Sequence, residues 1–312
     1  MTAVPRRPLL TPWYRLVGVD DRVLLEHGQT VVVLEGGAVR TLLPVLLPLL
    51  DGTRSREDLV ARLGVGARAA VDHALEVLAA HELLVEGPPA PPELRDAAHA
   101  VAAAFRVAPE VAAGRLRAAV VGVVGSAPSA VEIARLLRLS GIGGVRRCRW
   151  QARDRVDLAV VAPAGDELDR LDAWNRAALA SGRPWLPVAA YDGRLAAVGP
   201  LVVPGESCCY ECVRRRRAAN LEYGDQLAEL EAVPTAAVAD AALTAVAVGV
   251  AAHLVLRWLG GCDTTLPGLL FAVEACPALS VGEHPVLRHP RCPACSPAER
   301  LVPRLPWHQA AA

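Results

Sequence analysis

The sequence predicts an α/β protein in two parts, a winged-helix unit of three strands and three helices followed by a doubly wound α/β domain. Three observations carry this expectation. Short strand-like runs and then helical stripes fill residues 1–86. From Arg117 onward, continuous apolar runs alternate with helical stretches, as in a parallel sheet covered on both faces. Two Cys-x-x-Cys pairs, Cys209/Cys212 and Cys292/Cys295, bracket the latter half of that second part.

Composition bounds the rest. A chain of 312 residues, 53% of them apolar, suggests about two domains with a large core. Formal charge is zero, which argues against electrostatic capture of nucleic acid or of an anionic membrane. All 33 basic residues are arginine, and there is no lysine. Nothing at the N-terminus resembles a signal peptide, so a reducing, cytoplasmic setting is expected. The most apolar run, Ala241–Leu256, falls short of the about 20 residues of a membrane span.

In chain order, residues 1–12 are rich in Pro and Arg and are expected to be loose. Strands are expected at Tyr14–Val17, Val23–Glu26 and Thr30–Leu34, divided by the turns Asp20-Asp21 and His27-Gly28-Gln29. Ala38–Leu50 reads as a helix that Pro44 and Pro48 kink or end early. Ser55 and Asp58 form a capping box for a helix Arg56–Leu63. A third helix, Ala67–His81, carries one buried stripe of Val71, Ala74, Leu75 and Leu78. This is a winged-helix plan, but the third helix is not basic, which counts against reading DNA.

The Pro-rich stretch Gly87–Pro92 marks a linker over 87–97, and residues 98–312 form the second domain. Its strands are expected at Ala118–Val124, Val156–Val161 and Trp185–Ala190, with helices at Ser129–Leu139, Glu167–Ala180 and Thr235–Leu259. The four cysteines at 209, 212, 292 and 295 fit a structural Zn²⁺ site, since two such turns supply four thiolates to a tetrahedral ion. Cys148, Cys208, Cys262 and Cys276 read as buried thiols. Arg214–Arg217 is either a solvated face or a contact for an acidic partner.

The first unit resembles the PqqD-like recognition element of peptide-modifying enzymes, through Arg22–Leu34, the run Leu49 to Thr53, and Leu78–Leu84. The resemblance implies that a precursor leader peptide adds a strand along Thr30, Val31, Val32, Val33 and Leu34, beside a helix offering Arg68, Asp72 and Leu75. Val31, Val33 and Leu75 also fit a plain core reading. The second unit, about residues 115–297, resembles the ThiF/MoeB superfamily of adenylating enzymes. The resemblance rests on Val120–Gly125 with Gly141–Gly144, on Asp157–Val161, on Pro184–Ala190, and on the cysteine pairs where that family has zinc.

Active members of that superfamily hold ATP with Gly-x-Gly-Gly-x-Gly. In this chain Gly122 and Gly125 keep two of those glycines, while Val124 and Ala127 replace the others and Pro128 follows. An acidic residue for the ribose is missing from Val145–Trp150, and the required lysine has no counterpart. No ATP use and no catalytic residue are therefore expected. The whole chain resembles the leader-binding partner (ocin-ThiF-like, or C-component) of YcaO-type cyclodehydratases, which form thiazolines and oxazolines in thiopeptide and bacteriocin biosynthesis. That resemblance implies a leader peptide and a YcaO protein as partners. The long apolar helix suggests a homodimer. The rival expectation is an active ThiF/MccB-like ATP-dependent adenylyltransferase acting on a peptide.

Overall fold

The structure is a computed structural model. It describes residues 3–151, 155–189, 191–226, 240–275 and 277–296, with Glu229 and Val233. The chain divides into two compact units. The first runs to Arg117 and includes Leu259–Gly261, and the second covers Ala118–Trp258 and resumes at Cys262. The division thus falls past the Pro-rich stretch.

In the first unit, β1 (Pro8–Leu10), β2 (Arg15–Val19), β3 (Arg22–His27) and β4 (Thr30–Glu35) precede α1 (Gly37–Thr41) and α2 (Leu43–Leu46). Next come α3 (Arg56–Leu63), α4 (Arg68–Ala80), β5 (Leu84–Glu86), α5 (Arg95–Phe105) and α6 (Pro109–Ala118). Strands β2, β3 and β4 form an antiparallel meander with β4 at one edge. A two-residue turn joins β3 to β4, and its Gly28 has φ 60°, the positive value such tight hairpins need.

The N-terminal segment is not loose. Pro8–Leu10 pairs with Leu84–Glu86, and the Glu86 carboxylate accepts the N–H groups of Arg6 and Arg7 at 2.8 and 3.0 Å. The expected helix Ala38–Leu50 is broken into α1, α2 and a 3₁₀ turn at Leu47–Leu49, because Pro44 and Pro48 cannot donate to the helical ladder. The capping box forms as expected. Ser55 Oγ accepts the Asp58 N–H at 3.2 Å, and the Asp58 carboxylate accepts the Ser55 N–H at 2.9 Å. One apolar core joins Leu25 and Leu34 of the meander to Leu46, Leu59, Val71, Leu75 and Leu78 of the helices.

The second unit holds β6 (Val120–Val124), α7 (Pro128–Leu139), β7 (Gly144–Cys148), β8 (Leu158–Val161), α8 (Arg170–Ser181), β9 (Trp185–Ala189) and β10 (Leu195–Val198). It continues through α9 (Tyr210–Ala219), α10 (Ala241–Gly261), β11 (Leu269–Glu274) and β12 (Ser280–Pro285). Its seven-stranded sheet runs β12-β11-β10-β9-β8-β6-β7. Strands β9, β8, β6 and β7 are parallel, but β10, β11 and β12 are antiparallel. The sheet is therefore mixed, with a parallel part whose order reverses at β6 and an antiparallel extension that the sequence does not announce.

Helix α10 begins at Ala241, where the Asp240 side chain accepts the Leu243 N–H at 2.7 Å. Residues 235–239 of the expected helix lie outside the described residues. At 21 residues α10 is long and apolar enough to cross a membrane by length and composition, so the length criterion does not exclude a span. Leu243, Ala247, Ala251 and Val255, all 6% exposed or less, form one buried face of it. Of the spare thiols, Cys208 is buried, Cys148 is half-buried and Cys262 is exposed. Cys262 therefore contradicts the buried reading, because it caps α10 at φ 53° and so stands outside the helix. Cys276 lies outside the described residues.

Candidate functional site

The two cysteine pairs converge. Cys209 opens α9 as its N-cap and Cys212 sits in the first turn. The turn before them is held by Ser207, whose Oγ accepts the Val203 N–H at 2.8 Å. The buried Asn175 of α8 accepts the Tyr210 N–H at 3.1 Å, which fixes the start of α9. The second pair follows β12. There Arg288 donates to the carbonyls of Gly205 and Ser207 at 2.7 and 3.2 Å, strapping one knuckle to the other.

The four sulfurs lie within 4.8 Å of one another. Cys209 is 3.8 Å from Cys212 and 3.6 Å from Cys292, and Cys212 is 3.5 Å from Cys295. A tetrahedral ion bound to sulfur at about 2.3 Å spaces its ligands about 3.8 Å apart. Cys209, Cys212 and Cys292 are fully buried and Cys295 is half-buried. These four cysteines could hold a metal ion.

Their protonation points the same way. Hydrogen bonding from Cys209, helped by the His289 N–H at 3.3 Å, outweighs burial and brings the Cys212 thiol down. Burial and the bond to Cys212 push the Cys295 thiol up. Cys209 is also pushed up, first by its bond to Cys212 and then by burial. One thiolate is thus stabilised while its neighbours resist a second charge, a conflict that a divalent cation removes. Cys208 is pushed up to about 12, chiefly by burial, and behaves as an inert core thiol.

The arginine run is largely consumed within the fold. Arg214 and Arg215 pair with Glu211 of their own helix, at 3.2 and 2.7 Å. Arg217 reaches Asp192 at 3.3 Å, and Arg216 donates to the Leu287 carbonyl at 2.7 Å.

The expected peptide residues separate by burial. On β4, Thr30, Val31 and Val33 are exposed, Val32 is half-buried and Leu34 is buried. Cross-strand register sets Val17, Leu24 and Val33 side by side on the outer face of the meander. Val31 and Val33, 54% and 45% exposed, are therefore not core. Leu75, 1% exposed, belongs to the core and cannot line a groove, because the periodic stripe of α4 turns it inward. Arg68 is exposed, and Asp72 pairs with Arg56 at 2.5 Å.

At the end of β6 and the turn into α7, Gly122 and Gly125 both serve close packing. A Cβ on Gly125, at φ 105°, would sit 2.0 Å from the Ala162 carbonyl oxygen, and one on Gly122 would sit 3.1 Å from Cys148 Sγ. Arg147 of β7 donates to the Gly125 carbonyl. Two residues that sequence reasoning misses also converge on this loop, Trp150 and Glu167. Their sequence signal is position alone, in the segments that follow β7 and β8.

No protein-family model matches this chain, and no curated protein matches it. Among solved structures, the chain is similar to a heterocyclase in complex with substrate and cofactor, at 24% identity and TM-score 0.71, over 93% of this chain and 39% of that one. It is similar to the heterocyclase TruD at 25% identity and TM-score 0.71, over 94% and 43%. Similarity to Escherichia coli MccB is 14% identity at TM-score 0.64, over 93% and 99%. It shares its fold with MccB and with part of the heterocyclases. The chain spans about two fifths of the heterocyclases' length.

Proposed function

We propose that this chain is a non-catalytic subunit that binds the leader of a ribosomally made precursor peptide. It presents that peptide to a YcaO-type cyclodehydratase, which forms thiazolines and oxazolines in thiopeptide- or bacteriocin-type biosynthesis. The likeness to heterocyclases carries this reading. It takes in nearly all of this chain and leaves most of each heterocyclase without a counterpart, and on this reading the chemistry belongs to a separate protein that corresponds to that remainder.

The leader adds to β4. Because a two-residue turn closes the β3–β4 hairpin at His27 and Thr30, the backbone groups of Thr30, Val32 and Leu34 face β3. Those of Val31 and Val33 then face the open edge, free for a peptide strand. Arg68 contributes from the exposed side of α4. Zinc at Cys209, Cys212, Cys292 and Cys295 is structural and supports the fold. Two copies associate through the outer face of α10, where Ala242, Ala245 and Gly249 leave a flat, small-residue surface.

The likeness to MccB over 99% of its length favours a second reading, an ATP-dependent adenylyltransferase acting on a peptide; MccB has been solved with ATP and with MccA. Against it, the lysine that active members of the resembled superfamily place at the α-phosphate has no counterpart in this chain. Leader titration by fluorescence polarisation tests the first reading, and peptide-stimulated ATP–pyrophosphate exchange tests the second.

A further inference from the structure

Residues from the ends of three strands meet where the order of the large sheet reverses. Strand β6 has β7 on one side and β8 on the other. In open α/β sheets the ligand crevice lies outside the carboxyl ends of the strands at such a switch point. Glu167, which follows β8 and is 7% exposed, fills this place. Its Oε2 accepts the N–H of Ser126, in the turn between β6 and α7, at 2.8 Å, and that of Ala164 at 3.0 Å. Its Oε1 accepts the indole N–H of Trp150, just past β7, at 2.9 Å. Arg170 approaches Oε1 at 3.7 Å.

Turns that lead from a strand into a helix hold phosphate oxygens with such N–H groups. Here the oxygen belongs to the chain itself. We infer that Glu167 is a resident anion that plugs the crevice a nucleotide's phosphates would need, and that it fastens together the ends of β6, β7 and β8. The inference rests on the reading of the chain as a non-catalytic binding subunit. A phosphate brought to the Ser126 N–H meets a carboxylate already bound to that donor, and like charges repel strongly in a poorly solvated place. The turn has little room to step aside, because a Cβ on Gly125 would already sit 2.0 Å from the Ala162 carbonyl oxygen. Nor can the first residue of α7 offer a replacement donor, since Pro128 has no N–H. Burial works to raise the Glu167 carboxyl, but the Ala164, Trp150 and Ser126 donors bring it down to about 2, so the plug is charged at neutral pH.

Removing the plug should uncover an anion site. Glu167→Ala frees two backbone N–H groups and one indole N–H, while Glu167→Gln keeps the shape without the charge. Titrating the full chain with inorganic pyrophosphate, followed by calorimetry and tryptophan emission, reads the change. Glu167→Ala is expected to bind pyrophosphate at least about tenfold more tightly than the wild type, with Glu167→Gln between them. Equal affinity in all three proteins, including no binding by any, overturns the plug and leaves the binding-subunit reading standing. Turnover of Mg·ATP by the wild type overturns both. Should Glu167→Ala fail to fold, Glu167→Gln decides alone: a gain in pyrophosphate affinity over the wild type supports the plug, and no gain overturns it.

Discussion

The Arg216 guanidinium donates to the Leu287 carbonyl at 2.7 Å and to that of Arg288 at 3.4 Å. It reaches from the helix that carries Cys212 to the segment that leads into Cys292, so one side chain ties the two halves of the cysteine cluster together. Arg216→Ala should loosen the second knuckle without removing a ligand. The expected cost is about 1–2 kcal/mol, with faster loss of bound zinc to a chromogenic chelator. Unchanged release would show that the sulfurs need no such strap.

Removing a ligand should do more. Cys292→Ser replaces a fully buried sulfur with a poor zinc donor, so metal content should fall from about one ion per chain toward none. Thermal unfolding should shift down to match the wild type stripped by a strong chelator, because binding free energy here is folding free energy. Elemental analysis and calorimetry check both points.

Glu167 gives a pH signature with a definite sign. Its folded value, about 2, lies below the ordinary 4.5, so its stabilisation is complete above about pH 4.5 and is lost as pH falls toward 2. At about 1.4 kcal/mol for each pH unit, that is worth on the order of 3 kcal/mol. Urea unfolding of Glu167→Gln should show a deficit near this size at pH 7, shrinking between pH 4.5 and 2.

Leu75 and Val31 should behave oppositely. Leu75→Ala empties a site 1% exposed and should cost about 2–5 kcal/mol. Val31→Thr alters a side chain 54% exposed and should change stability by about 0.5 kcal/mol or less. Denaturant midpoints separate the two.

The cysteine cluster was legible because a Cys-x-x-Cys turn fixes its own geometry and its chemistry needs only a second such turn. The α3 start was legible for the same local reason, as Ser55 and Asp58 lie three residues apart. Strand β12 was not. Its residues Ser280–Pro285 are nearly all exposed, so no apolar alternation marks them, and the pairing with β11 alone makes them a strand. Strand β1 is three residues long and opens with Pro8, which reads as loop until Leu84–Glu86 comes alongside. Val31 and Val33 could not be separated from core by sequence, because exposure depends on which face of the meander the helices cover. Glu167 has only one local hydrogen-bond partner, the Ala164 N–H, because Ser126 and Trp150 lie farther along the chain and meet it only at the switch point of the sheet.

Polarisation of a fluorescein-labelled precursor leader, titrated with the full chain in the absence of ATP, tests the central claim most directly, with Val33→Pro as the matched variant. Proline at Val33 removes an outward N–H from an edge strand while leaving the β3–β4 ladder intact. Saturable, micromolar binding by the wild type and its loss in Val33→Pro is the predicted result. Absence of binding by the wild type, or equal binding by both proteins, would contradict it.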